Sequence, residues 1–184
     1  MTADVLGAVL AGGAGARLGG SKATVELAGR PMLSYPLAAF AQAGIEAIVV
    51  AKPSTALPPL DVAFLREPEE PSHPLLGLVA ALAHAGHRPI VACPCDTPFV
   101  TAALLERLAA SPDTAVVRSG GRLHPLLAHY RPENLLALRE ALAASASATA
   151  AAESLSPALI DVEERATINV NTPADLALAE RMLR

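Results

Sequence analysis

An apolar run, Val5 to Leu10, passes directly into Leu10-Ala11-Gly12-Gly13-Ala14-Gly15-Ala16-Arg17-Leu18-Gly19-Gly20-Ser21-Lys22, a stretch in which five of thirteen residues are glycine. Few folds accommodate that join. The run reads as a buried strand. Glycines leaving a strand bare several backbone N–H groups, because no side chain covers them and positive φ is open to them. Such a concavity suits an anionic oxygen, and phosphate is its usual guest. Arg17 and Lys22 add two cations to the same loop.

Three phosphate-loop patterns can be compared with it. The nucleoside-triphosphatase loop requires Gly-Lys-Ser/Thr at its end, and here Ser21 precedes Lys22 and Ala23 follows. The dinucleotide fingerprint requires Gly-x-Gly-x-x-Gly and an acid after the second strand. Gly13-Ala14-Gly15-Ala16-Arg17-Leu18 lacks the last glycine, and the second strand ends at Lys52. A nicotinamide-dependent oxidoreductase is therefore disfavoured. The third pattern, Leu-Ala-Gly-Gly-x-x-x-Arg-(Met/Leu)-Gly-x-x-Lys, fits throughout.

The rest of the chain alternates strands with helices. Strands are expected at Ile45–Ala51, Asp61–Leu65, Pro89–Cys93, Thr114–Arg118, Leu123–Tyr130, Ala158–Val162 and, shortest, Ile168–Val170. A helix is expected over Met32–Ala43, with Pro31 in its first turn and Pro36 kinking or delaying it. Others follow at Leu75–Ala85, from a Thr101 cap to Ala110, over Pro132–Ala144, and from a Thr172 cap over Pro173–Leu183. Gly120-Gly121 reads as a hairpin turn, after which Leu123–Tyr130 returns antiparallel. The alanine-rich segment Ala143–Ala152 is either a weak helix or a mobile connection. This alternation implies an α/β fold, a three-layer αβα sandwich on a mostly parallel Rossmann-like sheet. With 184 residues and 52% hydrophobic composition, residues 1–184 are expected to form one domain with a substantial core. Aromatics are only 3%, so Ala, Leu, Val and Ile must build it.

The net charge of −4 gives no support for a nucleic-acid or anionic-membrane partner. No apolar run is long enough to span a bilayer. Met1-Thr2-Ala3-Asp4 lacks the basic region of a signal peptide, and a cytoplasmic protein is expected. Cys93 and Cys95 point the same way on a strand and make a poor zinc site by themselves; Cys93 reads as a buried apolar residue and Cys95 as strand-end packing.

Asp96 is the second feature. It follows the apolar run Pro89–Cys93, so topology places it at the same carboxyl edge of the sheet as the glycine loop. A carboxylate facing a phosphate loop can ligate Mg²⁺, whose octahedron is completed by phosphate oxygens and water. The competing reading, a helix cap, is better filled by Thr101. A glycine loop, an Arg, a Lys and one metal carboxylate describe phosphoryl or nucleotidyl transfer. Cations there stabilise charge that builds on non-bridging and leaving oxygens. Arg17 offers a fork to the β/γ-phosphates. Lys22 is a point charge near the α-phosphate or leaving group.

Three motifs, in order, span nearly the whole chain: Leu10-Ala11-Gly12-Gly13…Arg17-Leu18-Gly19…Lys22, Cys95-Asp96-Thr97-Pro98-Phe99-Val100, and Ile168-Asn169-Val170-Asn171-Thr172-Pro173-Ala174-Asp175-Leu176. Together they resemble the molybdenum cofactor guanylyltransferase family, nucleotidyltransferases with the nucleotide-diphospho-sugar transferase fold. The resemblance implies transfer of GMP from GTP to a molybdopterin-type acceptor, with Mg²⁺ and release of pyrophosphate. A transient cofactor-biosynthesis protein partner is implied too. By the same resemblance Leu10, Ala11, Gly12 and Gly13 hold the nucleotide with Arg17, Lys22 and Glu67, while Asp96 binds both nucleotide and Mg²⁺. Asn169, Asn171 and His124 fall on the acceptor side. Asn169 and Asn171 have a second reading, hydrogen bonds to the turn backbone before the last helix.

The pattern also departs from the family. Ser21 stands where an Asp often precedes the loop Lys, Ala51-Lys52-Pro53 where an Asn is expected, and Glu67 where an Asp is expected. His73-Pro74-Leu75-Leu76-Gly77 replaces Gly-Pro-Leu-Ala-Gly. His73, between prolines, reads as an exposed loop residue or as a contact for an anion. These changes touch base and ribose recognition more than phosphate chemistry. A cytidylyl relative, another phosphorylated acceptor, or a nucleotide-binding regulator without catalysis are the competing readings.

Overall fold

The computed structural model describes residues 4–13, 18, 20–59 and 61–184. Its frame is one seven-stranded sheet. The strands are β1 (Leu6–Leu10), β4 (Ala47–Ala51), β5 (Ala63–Arg66), β6 (Ile90–Pro94), β7 (Ala115–Ser119), β8 (Arg122–Tyr130) and β9 (Ala158–Asp161). Between β1 and β4 lies a separate small hairpin, β2 (Glu26–Leu27) and β3 (Arg30–Pro31). The sheet order is β5-β4-β1-β6-β8-β7-β9. β5, β4, β1 and β6 pair in parallel, β9 pairs in parallel with β7, and β8 runs antiparallel to both its neighbours.

Strand alternation splits the core into two layers. Val5 and Val9 of the first segment, Val49 of β4 and Val91 of β6 face one side, against Phe40 of α1 (Ser34–Gln42) and Leu104, Leu105 and Leu108 of α3 (Ala102–Ala109). Leu6, Ala8, Ile48 and Val50 face the other. There they meet Leu75, Leu78 and Leu82 of α2 (Pro74–Ala85), Leu138 of α4 (Leu135–Ala143) and Ala151 of α5 (Ala148–Ser154). Each fully buried Leu or Phe contributes roughly 1.5–3 kcal/mol by leaving water. The expected αβα sandwich is therefore present, built almost without aromatics. A third, smaller cluster joins Leu27 and Met32 of the hairpin region, Phe99, Val170 and Ala179 of α6 (Pro173–Leu183). It ties the C-terminal helix to the segment that follows the glycine loop.

Several expectations hold. Thr101 caps α3 by accepting from the Leu104 N–H at 3.2 Å. Thr172 and Asp175 cap α6 reciprocally, an arrangement that satisfies two N–H groups the helix leaves unpaired. Gly120 and Gly121, at φ 51° and 75°, turn β7 into β8, as a two-residue hairpin with both central residues left-handed requires. The alanine-rich segment resolves into α5, capped by Ser147.

Others are corrected. The first helix starts at Ser34, not Met32, so Pro36 falls in its first turn, where its missing N–H costs nothing. Pro31 is not in that helix but in β3. The β2–β3 hairpin was not expected because its turn, Ala28-Gly29, lacks the usual Asn or Asp; Ala28 nevertheless sits at φ 49°. Ile168–Val170 is not a strand. It is an extended segment docked by one ladder-like bond, the Val170 N–H donating to the Asp96 carbonyl at 2.9 Å.

Candidate functional site

The reversal of strand order falls between β1 and β6, and ligands of open α/β sheets bind outside the carboxyl ends at that point. Here those ends are stitched together one backbone bond at a time. The Glu67 N–H donates to the Ala51 carbonyl at 3.0 Å, Ala11 to Val50 at 2.7 Å, Cys95 to Leu10 at 3.0 Å and Val170 to Asp96 at 2.9 Å. Five segments far apart in sequence thus form one rim. They enclose a cleft of about 500 Å³ lined by Leu10, Gly12, Gly13, Lys22, Glu67, Asp96, Asn169 and Asn171 among others. Every one of those eight was expected at the site.

Lys22 and Asp96 meet at its centre. The ammonium lies 2.6 Å from Asp96 Oδ2, and both side chains are largely buried. Lys22 also donates to Asn171 Oδ1. Asp96 sits on a rigid turn, because the Thr97 hydroxyl donates to the Pro94 carbonyl at 2.6 Å. Asn171 does not use its amide on the turn backbone as one reading held. Its backbone N–H does the anchoring instead, donating to Asp175 Oδ2 at 3.0 Å. Asn169 is exposed at the rim. Arg17, Ala14 to Ala16 and Gly19 lie outside the described residues.

Glu67 forms the other wall. It is buried, and its carboxylate fills a notch between Gly12 and Gly77 of α2. A Cβ on Gly12 would lie 1.8 Å from Oε1, and one on Gly77 2.5 Å from Oε2. Burial raises the Glu67 pKa above the ordinary carboxylate value, and the nearby Lys52 charge partly opposes it. Lys52, half-buried, donates to the Glu69 carbonyl at 2.5 Å. Next to Glu67, His73 is no idle loop residue. Its Nδ1 accepts the Leu75 N–H at 3.2 Å and caps α2, so the ring proton sits on Nε2. The ring lines the cleft.

Two of the expected site residues among those described fall outside the cleft lining, Ala11, which is fully buried, and His124. The His124 Nε2 is 2.9 Å from Ser119 Oγ, which in turn meets Thr167 Oγ1 at 2.6 Å. Burial lowers the His124 pKa, and the Arg122 charge adds to that. The physical reason is the hairpin register: Ser119 pairs with Arg122 and Val117 with His124, which puts His124 on the same face as Ser119. The register shifts only beyond it, where Val116 pairs with Ala128 and residues 125–127 are looped out, and from that stretch Leu126 lines the cleft. Leu126, Lys52 and Cys95 are lining residues that sequence reasoning did not assign to the site, and only the departure at Lys52 carried any signal for them. Cys95 contributes packing: its thiol, like that of Cys93, is held well above the usual thiol pKa by burial, so neither is a thiolate ligand or nucleophile at neutral pH.

Among the described residues no three His, Cys, Asp or Glu side chains gather as a metal cage. The donor set present, the carboxylate of Asp96 on one wall of the cleft and that of Glu67 on the other, suits a cation that takes most of its ligands from substrate phosphate and water, as Mg²⁺ does. Asp96 fits that part: Lys22 uses Oδ2, and among the described residues nothing donates to Oδ1.

Comparison with known proteins agrees with this geometry. Residues 7–159 match the family described as MobA-like NTP transferase domain. Molybdenum cofactor guanylyltransferase of Cereibacter sphaeroides is 36% identical over 190 residues, covering 98% of this chain and 97% of that protein. The protein of the same name from Rhodobacter capsulatus is 34% identical, again covering 98% and 97%. Among solved structures, molybdopterin-guanine dinucleotide biosynthesis protein A from Archaeoglobus fulgidus superposes with a TM-score of 0.78 at 24% identity, covering 97% of this chain and 98% of its own. The 2-C-methyl-D-erythritol 4-phosphate cytidylyltransferase from Thermus thermophilus gives 0.72 at 23%, covering 99% and 98%. These two structural likenesses establish the fold alone.

Proposed function

The chain belongs to the MobA-like NTP transferase family, and from that premise we infer that it is a molybdenum cofactor guanylyltransferase, transferring GMP from GTP to a molybdopterin-type cofactor with release of pyrophosphate. The observation that carries the reading is the Lys22–Asp96 contact. Residues 74 apart meet at 2.6 Å, in a cleft, at the strand-order reversal.

In the proposed reaction a phosphate oxygen of the acceptor attacks the α-phosphorus of GTP. The new P–O bond forms as the bond to the β-phosphate oxygen breaks, and the electron pair leaves on pyrophosphate. A phosphate nucleophile needs orientation more than a base. No protein group near the cleft centre has to accept a proton. The bared backbone of Gly12 and Gly13 faces the phosphates. Lys22 directs its ammonium at charge developing on non-bridging and leaving oxygens, a preorganised interaction worth about 10²–10³ in rate. Asp96 would hold Mg²⁺, which supplies charge neutralisation at the phosphate oxygens. Glu67 presents acceptor oxygens to the N–H or O–H donors of the nucleoside. Arg17 stands with the phosphates by family resemblance. Asn169 and Asn171 border the acceptor side, and a labile acceptor is delivered by a transient protein partner. No helix among the described residues is long and apolar enough to cross a membrane.

The test is a thermal-shift screen with GTP, CTP, ATP and UTP, each with and without Mg²⁺, since a ligand that binds only the folded state stabilises it by mass action. A GTP shift that requires Mg²⁺ and disappears in Asp96→Ala is expected. It is followed by transfer of labelled GMP to molybdopterin cofactor. A shift with CTP alone, or GTP binding without transfer, overturns the reading.

A further inference from the structure

We propose that Asn171 is a positioning residue for Lys22, holding the ammonium over the phosphate site when Asp96 is engaged by a cation; this rests on the transferase reading above. An ammonium has three N–H donors and no acceptor. Asp96 Oδ2 takes one and Asn171 Oδ1 a second, which among the described residues leaves the third for the cleft. The two partners differ in kind. Asp96 is charged and is the only carboxylate in contact with Lys22 among the described residues. A divalent cation on that carboxylate weakens its attraction for Lys22 and itself repels an ammonium. Lysine is a point charge on a flexible four-carbon stem. Without another tether it would swing toward water. The neutral Asn171 amide is that tether. It accepts a hydrogen bond without cancelling the positive charge that the phosphates require.

The tether is itself anchored. Asn171 donates its backbone N–H to Asp175 Oδ2 at 3.0 Å, inside the cap of α6. The preceding Val170 is fully buried in the third core cluster and donates to the Asp96 carbonyl at 2.9 Å. The segment that holds Lys22 is thus pinned both to the helix behind it and to the residue it shares Lys22 with. Asn171 and Lys22 lie 149 residues apart, so this amide joins the C-terminal segment to Lys22.

The chain contains two lysines, Lys22 and Lys52, and Lys52 serves as an internal reference. The experiment acylates the folded protein with a water-soluble amine reagent in the presence of Mg²⁺ and reads the Lys22 to Lys52 labelling ratio by mass spectrometry. Expected is a ratio several-fold higher in Asn171→Ala and lower in Asn171→Asp, whose added charge grips the ammonium. Both variants should lose turnover. Asn171→Ala should lose about tenfold, the scale seen when a group that orients a primary ligand is removed. In a Lys22→Ala background the same change should cost less than about twofold, because residues acting through one another are not additive. A merely structural role would leave the labelling ratio unchanged in both folded variants, or cost the same in both backgrounds. Either result overturns the proposal. A wild-type protein that transfers no GMP sinks the transferase reading instead, while the labelling ratio still decides the role of Asn171.

Discussion

Glu67 occupies the space that a side chain on Gly12 would need: a Cβ there would lie 1.8 Å from the carboxylate oxygen. Glycine at position 12 is therefore demanded by a residue far along the chain, whose carboxylate leaves no room for a Cβ. Gly12→Ala should push the carboxylate out of its notch, destabilise the fold by about 1–3 kcal/mol through overpacking, and weaken GTP binding. The cause is checked by a double mutant. If the clash is responsible, most of the melting-temperature loss of Gly12→Ala disappears in the Glu67→Ala background.

Glu67→Gln should make the protein more stable and a poorer nucleotide binder. Burial holds the Glu67 pKa above its ordinary value. The folded state therefore takes up its proton more readily than the unfolded chain, and stability falls as pH rises from the ordinary carboxylate range through the raised folded value. The neutral amide escapes that penalty. A melting-temperature gain at pH 7 to 8 that shrinks as pH approaches the ordinary carboxylate value is the expected outcome, together with a smaller GTP-induced shift. An equal gain at every pH would argue against the charge as its cause.

Asp96→Asn and Lys22→Ala should separate binding from chemistry. Asp96→Asn keeps shape but loses the charge that would hold Mg²⁺, so Mg²⁺-dependent transfer should become undetectable while the circular-dichroism spectrum is retained. Lys22→Ala should lower kcat by about 10² or more, as for loss of one preorganised donor to a transition state. Single-turnover assays with labelled GTP measure both. A Lys22→Ala variant that loses only nucleotide affinity would contradict a role in the transition state.

His129 predicts an acid limit to stability away from the cleft. It is buried on β8, its Nδ1 2.9 Å from the Asp113 carbonyl, and burial lowers its pKa. Because a carbonyl only accepts, Nδ1 carries the proton, and Nε2 is left buried with no partner among the described residues. The unfolded chain binds a proton at about pH 6.5 that the fold resists. Stability is therefore full above the unfolded value and declines as pH falls below it toward the lowered folded value. Melting temperature measured from pH 7.5 to 5 should fall on the acid side, and the fall should be shallower in His129→Gln.

Much of this was open to reading in one dimension. The strand-then-glycine join and the apolar run before Asp96 each carry their chemistry in local pattern, while the Asn169–Asn171 motif was read through the family resemblance. Periodicity and caps located α2, α3 and α6 to within a residue or so. These signals survive because buried strands, glycine turns and capped helices are decided by neighbours in the chain. The failures have the opposite origin. The Ala28-Gly29 turn is stabilised by what packs on it, since Leu27 and Met32 are buried beneath α6. Ile168–Val170 has strand-like residues but only one ladder bond to make.

The sequence by itself determined which groups could meet a nucleotide: a bared glycine backbone, an ammonium and a carboxylate, with two amides added on the acceptor side by the family resemblance. Tertiary structure decided how they are used. The register of the β7–β8 hairpin sets His124 beside Ser119, and the irregularity beyond it holds Leu126, which lines the cleft. The notch between Gly12 and Gly77 buries Glu67 and raises its pKa. The docking of α6 gives Lys22 a neutral partner beside its charged one. Pairings of this kind depend on strand order, bulges and helix docking, which act over separations of tens to more than a hundred residues. No window of sequence is long enough to hold both sides of such a contact.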